Sequence, residues 1–398
     1  MKKKTPSRRN ILSLGAGLAA LSACSTKPAA TAPSMVGKPL SPSGAPSPFE
    51  KAARLVPESK TPATGGSRAP LQDLYGTITP SSLHFERHHS GVPEIDPTKH
   101  ELLLHGLVEQ PLLYNVDDLK RFPSAARVHF VECSGNGASE YTAPGGTAQL
   151  SHGLASCSEW TGVPVRLLLH EAKLKPEAKW AIAEGADACK LTRSIPLEKL
   201  MDDAMIVYAQ NGEPIRPEQG YPMRLLLPGW EGNSNIKWLR RLFVAAEPSM
   251  TTHETAFYTD LQPDGKARQF SFELEAKSVI TRPSGGQKLP GAGNYEITGL
   301  AWSGRGKISR VEVSIDNGKT WKDAELQGGA TKAFTRFRLP WAWDGSPVSL
   351  QSRCTDDTGY LQPSADELLA VRGRNFRYHN NQVKTWFVKG DGSVSNEA

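Results

Sequence analysis

Residues 307–318 read Lys-Ile-Ser-Arg-Val-Glu-Val-Ser-Ile-Asp-Asn-Gly, and polar and apolar side chains alternate along residues 307–315. A period of two is typical of a β-strand with one buried face. The Asn317-Gly318 pair then supplies the positive φ angles that a tight hairpin turn requires. Other stretches with the same alternation, such as residues 295–300, follow at short spacing after about residue 261. This second half of the chain predicts a β-sandwich.

The preceding part of the chain has a mixed pattern. Between about residues 71 and 260, short strand-like runs alternate with helical ones. Residues 161–172 begin with a threonine and carry a proline in the first turn, which predicts a helix over that range. The fold class is therefore predicted to be α+β, with a mixed domain over residues 71–260, a β-sandwich over 261–375 and a C-terminal tail over 376–398.

Residues 1–24 resemble an export signal, because a basic cluster precedes an apolar run that is too short to cross a membrane as a helix. Residues 7–12, Ser-Arg-Arg-Asn-Ile-Leu, resemble the twin-arginine signal, and residues 21–24, Leu-Ser-Ala-Cys, resemble a lipobox. We therefore expect export to the periplasm, with Cys24 as a lipid anchor or with cleavage at a later small residue. Residues 25–70, rich in Pro, Ser and Ala, are predicted to be a tether or a wrapping arm.

The charge of the chain argues against a nucleic-acid partner. The net charge is +6, but residues 1–24 hold five basic residues and no acidic one, so the rest of the chain carries +1. Acidic and basic residues are interleaved there, and no continuous basic face for a phosphate backbone is expected. Nucleic-acid binding is excluded on this basis.

Four cysteines follow Cys24, and pairing in two disulfides is one interpretation for an exported protein. The surroundings of Cys133 favour another. Residues 131–137, Val-Glu-Cys-Ser-Gly-Asn-Gly, place a thiol at the end of an apolar strand, before glycines that let the backbone approach a bulky group. A catalytic thiol needs a base such as His129 or His152, whereas a soft metal needs the thiolate alone. The sequence lacks the usual zinc, haem and iron–sulfur motifs. No chemistry is assigned to Cys157, Cys189 and Cys354, which are expected to be buried.

Four motifs taken together resemble the sulfite oxidase family of molybdopterin enzymes. They are residues 85–89 (Phe-Glu-Arg-His-His), 132–136 (Glu-Cys-Ser-Gly-Asn), 158–164 (Ser-Glu-Trp-Thr-Gly-Val-Pro) and 228–239 (Pro-Gly-Trp-Glu-Gly-Asn-Ser-Asn-Ile-Lys-Trp-Leu). The resemblance spans about residues 71–371, and the fourth motif is most similar to the molybdenum subunit of the bacterial sulfane dehydrogenases, a branch of the family. It implies a molybdopterin-binding domain followed by an immunoglobulin-like dimerisation domain.

The resemblance also implies site residues. Cys133 would be the protein ligand of molybdenum in a molybdenum–molybdopterin cofactor, because a thiolate is a soft, electron-rich donor. The residues implied to bind the pterin and its phosphate are Phe85, Arg87, His88, His89, Asp187, Ser194, Arg224, Lys237 and Trp238. The residues implied around the open face of the metal, where substrate binds, are Arg87, Trp160, Tyr258 and Lys332.

The sequence departs from the family pattern at three positions. Gly137 and Ala138 stand where sulfite oxidases usually carry arginines, and Gln219 stands where a pterin-contacting histidine is common. Fewer fixed cations make a weaker trap for the small sulfite dianion. Without those arginine side chains more space is left at the site, which favours a bulkier or carrier-linked sulfur substrate.

The activity implied by the resemblance is periplasmic oxidation of carrier-bound sulfane sulfur or sulfite by oxygen-atom transfer at molybdenum. Electrons would pass to a c-type cytochrome subunit, because the sequence has no haem-attachment motif, and the substrate carrier would be a second protein. A homodimer or a heterotetramer with the cytochrome is expected. Three alternatives stay open: a dehydrogenase for free sulfite, a periplasmic sulfoxide reductase on the same cofactor, and a non-enzymatic binding protein with disulfides and no metal.

Overall fold

A computed structural model of the chain describes residue 37 and residues 39–59, 61, 63–138, 140 and 146–396. The predicted export signal and the lipobox with Cys24 lie outside the described residues. Met1–Lys51 and Ala52–Ala398 are two separate compact units. The described residues of the first unit are exposed and include a turn in which the Glu50 N–H donates to Ser47 O at 3.0 Å.

Strands are the most common regular elements of the second unit. In chain order they are β1 Gly65–Ser67, β2 Glu86–His88, β3 Leu102–Gly106, β4 Leu112–Tyr114, β5 Ala125–Glu132, β6 Ala155–Pro164, β7 Trp180–Gly185, β8 Thr192–Pro196, β9 Met205–Gln210, β10 Glu213–Pro214, β11 Arg224–Leu226, β12 Leu239–Ala245, β13 Asp260–Leu261, β14 Ala267–Arg268, β15 Lys277–Arg282, β16 Gly293–Trp302, β17 Ile308–Ser314, β18 Lys322–Asp323, β19 Glu325–Gly328, β20 Thr335–Trp343, β21 Val348–Asp356, β22 Thr385–Val388 and β23 Val394–Asn396.

Short helices connect these strands. The α-helices are Val116–Leu119, Ala148–His152, Val165–Ala172, Leu197–Asp202, Thr252–Thr255 and Ala365–Arg372, and the 3-10 helices are Leu71–Asp73, Ser81–Leu83, Pro217–Gln219 and Gly232–Ser234. Within the described residues, none of these helices combines the length and the apolar character that crossing a bilayer requires.

The mixed domain is built on two five-stranded sheets. One has the order β10-β9-β6-β5, with β11 beside β9, and the other has the order β4-β3-β12-β7-β8. Strands β3 and β12 run parallel, whereas the other pairs of these sheets are antiparallel. Apolar side chains from both sheets and from Val165–Ala172 form one buried cluster, which includes Leu104, Leu169, Ile206 and Leu242. Burial of this cluster holds the two sheets together.

The second domain is a sandwich of two antiparallel sheets, β15-β16-β20-β19 and β18-β17-β21-β22-β23. Asn317 and Gly318 have φ angles of 60° and 80°, as predicted, but the connection is longer than a two-residue hairpin turn, because β17 ends at Ser314 and β18 begins at Lys322. The fold class is therefore α+β followed by an immunoglobulin-like sandwich, as predicted. The predicted C-terminal tail was wrong, because β22 and β23 extend the second sheet and are held by main-chain hydrogen bonds to β21.

A continuous core joins the two domains. Phe130 of β5 stacks with Phe334 at 6.4 Å between ring centres, and Phe334 packs against Trp302 of β16 at 5.0 Å. These rings belong to one buried cluster that extends through both domains. The carboxyl end of β5, where Cys133 follows, is consequently fixed against the second domain.

One further difference from the sequence prediction concerns local structure. Residues 161–164 belong to β6 and not to a helix, because Trp160–Pro164 pairs with β9 and the ladder outweighs the local helix signal. Of the two alternatives for residues 25–70, the described residues between 52 and 70 fit the wrapping arm. Leu55 and Arg68 form a bridge, and β1 pairs with β2 of the folded body.

Candidate active site

Cys133 follows directly on β5 and lines a cleft of about 680 Å³. The loop after it folds back tightly, because Asn136 N–H donates to Cys133 O at 2.9 Å and Ala138 N–H donates to Gly135 O at 3.2 Å. Cys133 N–H itself donates to Leu154 O at 2.9 Å. Main-chain hydrogen bonds thus hold the thiol in place on a defined turn.

The structure brings most of the predicted site residues into this one cleft. Those that line it are Phe85, Arg87, His88, His89, Cys133, Asp187, Arg224, Lys237, Trp238 and Tyr258. Gln219, at one of the positions that departs from the family pattern, lines it too. Side chains that are far apart in the sequence therefore form a single site next to one thiol.

The wrapping arm builds one wall of the cleft. In the antiparallel pair of β1 and β2, Gly66 lies opposite Arg87, and Arg87 Nη1 donates to Gly65 O at 3.3 Å. A Cβ atom on Gly66 would lie 2.5 Å from Glu86 O, which is closer than two such atoms can approach. Glycine at this position therefore lets the arm pair with the strand that carries Arg87.

Three cations of the cleft lack a carboxylate partner. Among the described residues, Arg87, Arg224 and Lys237 form no ion pair, and Arg224 and Lys237 donate to main-chain carbonyls at 3.0–3.1 Å. Burial lowers the pKa of Arg224 to about 9, and burial together with the Arg224 charge lowers the pKa of Lys237 to about 7. The Nε atom of Arg224 has no acceptor among the described groups. Buried cations without counter-ions are costly, so the cleft is suited to an anion such as a phosphate.

Tyr258 lies beside the thiol on the opposite wall. Its hydroxyl is 2.8 Å from His89 Nε2, and the guanidinium of Arg193 lies 5.1 Å from its ring centre. Burial, followed by the charge of Cys133, raises the pKa of Tyr258, so the hydroxyl remains a donor. Burial and Arg87 lower the pKa of His89 to about 4, which keeps that ring neutral at pH 7. Tyr258 also has a φ of 57°, a strained conformation for a residue with a Cβ.

Arg193 was not predicted from the sequence. Its guanidinium is buried and is held by Glu231 at 3.1 Å, by Glu254 at 3.2 Å and by Asn233. Two of these partners lie in the motif at residues 228–239, but nothing in the sequence pairs that motif with residue 193. Arg193 therefore holds a positively charged guanidinium group next to Tyr258. This feature of the site was not predicted from the sequence.

Three predicted site residues do not line the cleft. Trp160 is fully buried behind it, with the Arg224 guanidinium 5.1 Å from its ring centre. Ser194 Oγ donates to Ser249 O at 3.3 Å, away from the thiol. Lys332 Nζ pairs with Asp203 Oδ2 at 2.7 Å, because β20 begins just after it and the first domain supplies a carboxylate there.

The surroundings of Cys133 do not activate it as a nucleophile. No hydrogen bond within the described part of the chain joins its sulfur to His129 or His152, and His152 Nε2 pairs instead with Glu140 Oε1 at 2.6 Å. Burial raises the pKa of the Cys133 thiol. A buried, protonated thiol without a base reacts slowly, but a soft metal can displace its proton.

The residues of the cleft suit a metal that is bound by Cys133 and whose other ligands belong to a cofactor. Among the described residues there is no group of three or more His, Cys, Asp or Glu that could hold a metal ion. A metal bound by Cys133 therefore needs its other donors from a cofactor. Molybdopterin supplies dithiolene sulfurs and carries a phosphate, which matches one thiol beside a group of unpaired cations.

The remaining cysteines do not form disulfides, so that interpretation was wrong for the described residues. The four described cysteines are free. Burial raises the pKa of Cys157 to about 12, and Cys354 is also buried. Cys189 is half-buried and its sulfur lies 2.8 Å from Asp187 Oδ2. The prediction of burial is confirmed for two of the three.

Comparison with known proteins gives the family. The oxidoreductase molybdopterin binding domain matches residues 89–253, and the Mo-co oxidoreductase dimerisation domain matches residues 268–386. Mitochondrial sulfite oxidase of Mus musculus is 32% identical over 319 residues, 72% of this chain and 58% of that protein. NADH nitrate reductase of Solanum lycopersicum is 32% identical over 343 residues, 75% of this chain and 37% of that protein. The chain thus spans less than two thirds of these curated relatives.

A solved structure matches almost end to end. The crystal structure of the sulfane dehydrogenase SoxCD from Paracoccus pantotrophus superimposes with a TM-score of 0.89 at 46% sequence identity, covering 92% of this chain and 96% of that chain. Together with a cleft whose donors suit molybdenum–molybdopterin, this match shows that the chain belongs to the sulfite oxidase family of molybdopterin-dependent oxidoreductases.

Proposed function

We propose that this chain oxidises an inorganic sulfur substrate by transfer of an oxygen atom to sulfur, and that its substrate is sulfane sulfur bound to a carrier protein. The observation that carries the proposal is the scarcity of free cations at the open side of the thiol. Arg87 is the one predicted substrate-binding cation that lines the cleft, whereas Lys332 does not line it and pairs with Asp203 at 2.7 Å. Gly137 and Ala138 add no charge to the Cys133 loop.

The residues of the cleft divide between cofactor and substrate. Cys133 holds the metal through its sulfur, and Arg224 and Lys237 bind the phosphate of the pterin through charge-assisted hydrogen bonds. When bound, the molybdenum cofactor supplies two-electron oxidation together with transfer of an oxygen atom. The protein orients the substrate and excludes water from the cleft.

Arg87 and Tyr258 act on the substrate. Arg87 attracts the negative end of a sulfur anion, and its guanidinium is oriented by the carbonyl of Gly65. The Tyr258 hydroxyl donates a hydrogen bond to the oxygen that is transferred, while neutral His89 holds that hydroxyl at 2.8 Å. A fixed donor at this point stabilises charge that develops on oxygen.

Free sulfite is the second candidate substrate, because Arg87 remains available to a small dianion and sulfite oxidases are among the relatives. One cation binds a dianion more weakly than a cluster does, which favours the carrier-bound substrate. A sulfoxide reductase is less well supported, since the relatives with that activity usually lack the sandwich domain that this chain contains.

Electron transfer requires a second protein in this proposal. The sequence has no haem-attachment motif, so a c-type cytochrome subunit would accept the electrons one at a time. We place the reaction in the periplasm on the strength of the twin-arginine-like residues 7–12. The dimerisation domain supports a homodimer or a heterotetramer with the cytochrome.

The test has two steps. Purified protein should contain molybdenum and pterin in equal amounts, a Cys133→Ser variant should lose the molybdenum, and the control variant Cys354→Ala should keep it. Cytochrome c reduction is then measured with free sulfite and with a carrier protein bearing sulfane sulfur. Faster turnover of the carrier supports the proposal, whereas fast turnover of free sulfite alone would contradict it.

A further inference from the structure

The C-terminal segment runs along the loop that carries Cys133. His379 N–H donates to Ser134 O at 2.8 Å, and Asn380 Nδ2 donates to Gly137 O at 3.0 Å. Gln382 Nε2 then donates to Glu140 Oε2 at 3.0 Å. We call residues 379–382 the C-terminal clamp. Its three contacts fall on Ser134, Gly137 and Glu140, so a connection of the second domain holds the described part of the loop at three points.

His379 is the most constrained residue of the clamp. Its side chain is 1% exposed, and its ring lies between two carboxylates, with Nε2 3.1 Å from Glu231 and Nδ1 3.4 Å from Glu275. Glu231 belongs to the first domain and Glu275 leads into β15 of the second. Burial opposes a charge here, but the hydrogen bond to Glu231 and the charges of both carboxylates outweigh it and raise the pKa of His379 to about 9. The ring is therefore an imidazolium that bridges the two domains.

The main chain of His379 is fixed as firmly as its ring. Its φ is 57°, a left-handed conformation that is strained for a residue with a Cβ. Arg372 Nη1 donates to His379 O at 3.1 Å, and Arg372 Nη2 pairs with Glu275 at 2.8 Å. A strained conformation held from several sides at a functional site usually serves the site.

A second route connects His379 to Tyr258. Glu231 accepts from His379 through Oε2 and pairs with Arg193 through Oε1 at 3.1 Å. Arg193 in turn faces the ring of Tyr258 at 5.1 Å. A change in the His379 side chain that moves Glu231 should therefore also move the Arg193 guanidinium beside Tyr258. The main chain of His379 meanwhile holds the Cys133 loop.

We propose that His379 is a positioning residue that fixes the Cys133 loop and Tyr258 relative to each other, so that the second domain supports the metal centre as well as the dimer. His379 touches neither the substrate nor the metal ligand. The inference rests on the family's cofactor and on no particular sulfur substrate. A misplacement of about 1 Å at a reacting group is enough to cost a large factor in rate.

The test removes the charge of His379 while both neighbouring carboxylates keep a cation. In His379→Gln, Glu231 keeps Arg193 at 3.1 Å and Glu275 keeps Arg372 at 2.8 Å. The control is His100→Gln, another buried histidine, whose Nε2 contacts only the carbonyl of Leu239, at 2.9 Å, and which lies outside the cleft. Thermal unfolding and pterin content establish that both variants are folded and loaded.

Two measurements then report on position. The electron paramagnetic resonance spectrum of Mo(V) should shift in His379→Gln and stay unchanged in His100→Gln, and kcat should fall about tenfold or more in His379→Gln with KM little changed. In cofactor-free protein with Cys24→Ser and Cys189→Ser, maleimide labelling of Cys133 should be at least severalfold faster when His379→Gln is added. A wild-type spectrum together with a wild-type labelling rate would overturn the proposal. Because labelling needs neither cofactor nor substrate, its failure counts against the clamp alone and not against the proposed activity.

Discussion

The hydroxyl of Tyr258 and Nε2 of His89 lie 2.8 Å apart, although 169 residues separate them in the chain. His89 follows β2, which the wrapping arm holds, and Tyr258 follows the short helix Thr252–Thr255. The two walls of the cleft therefore meet at this hydrogen bond, next to the thiol of Cys133.

Replacing Tyr258 with Phe should lower kcat by roughly a hundredfold, because one preorganised donor to a developing oxyanion is lost. The molybdenum and pterin contents should not change, since the hydroxyl is not needed to hold the cofactor. Steady-state cytochrome c reduction measures kcat. Tyr295→Phe, which removes a hydroxyl from the sandwich domain, is the control. An unchanged kcat in Tyr258→Phe would remove this tyrosine from the mechanism.

Anion binding by the cofactor-free protein should weaken as pH rises through about 7. Burial, and then the charge of Arg224, lowers the pKa of Lys237 from 10.5 to about 7, so the ammonium is lost above that pH. Sulfate is the suitable probe, since its own charge is constant in this range. Calorimetric titration between about pH 6 and 9 should show the fall, and Lys237→Met should flatten the profile. Equal affinity at both ends in the unmodified protein would contradict the prediction.

The same lysine makes the cofactor-free fold more stable at higher pH. The unfolded chain keeps the Lys237 proton up to about pH 10.5, whereas the folded chain releases it at about 7, so the unfolded state binds more protons in that window. Lys237 should therefore contribute a rise in the free energy of unfolding from about pH 7 to 10.5. Denaturant unfolding of the unmodified protein and of Lys237→Met isolates the contribution, and identical pH profiles would refute it.

A methyl group on Gly66 should loosen the arm. Gly66→Ala would place a Cβ 2.5 Å from Glu86 O, so β1 would have to move away from the strand that carries Arg87. We expect a loss of roughly 1–3 kcal/mol in stability, as in other overpacked sites, together with a lower pterin content. Gly76→Ala is the matched control, because a Cβ at that position would meet no atom within 4 Å. Equal pterin contents in the two variants would count against a role of the arm in the cleft.

Lys332 should act in stability and not in substrate binding. Its ammonium pairs with Asp203 across the domain boundary at 2.7 Å, and Asp203 also binds Lys199 at 2.6 Å. Lys332→Met should lower the free energy of unfolding by about 1 kcal/mol, as expected for a partly exposed pair, and leave KM nearly unchanged. Arg87→Met should instead raise KM strongly. A large rise of KM in Lys332→Met would restore the role that the sequence predicted.

Local signals in the sequence were sufficient for much of the fold. The alternation in residues 307–315 and the residue types at Asn317-Gly318 are properties of neighbouring residues, and the structure confirms the strand and the positive φ angles that they predict. Residues 161–164 were misjudged because their strand partner is Met205–Gln210, more than 40 residues further along the chain. Propensity cannot register a partner that distant. The same reason explains why β22 and β23 were predicted to be a tail.

The candidate site shows the same limit. The sequence motifs that contain Cys133 and Lys237 were distinctive enough to predict that both residues belong to the site, and both line the cleft. Lys332 was misplaced because the sequence does not reveal that Asp203 faces it. His379 and Arg193 were missed because their partners, Glu231 and Glu275, are brought to them only by folding. Buried ion networks of this kind have no local pattern in a sequence.

The contact between His379 and Ser134 has a consequence for the order of synthesis. Residue 379 leaves the ribosome after Ser134, which precedes it by 245 positions in the chain. A nascent chain therefore cannot complete the support of its metal-binding loop before residue 379 has been synthesised. Chains truncated before residue 379 would lack both β22–β23 and the clamp, and quality control would meet them as chains with an unsupported metal-binding loop.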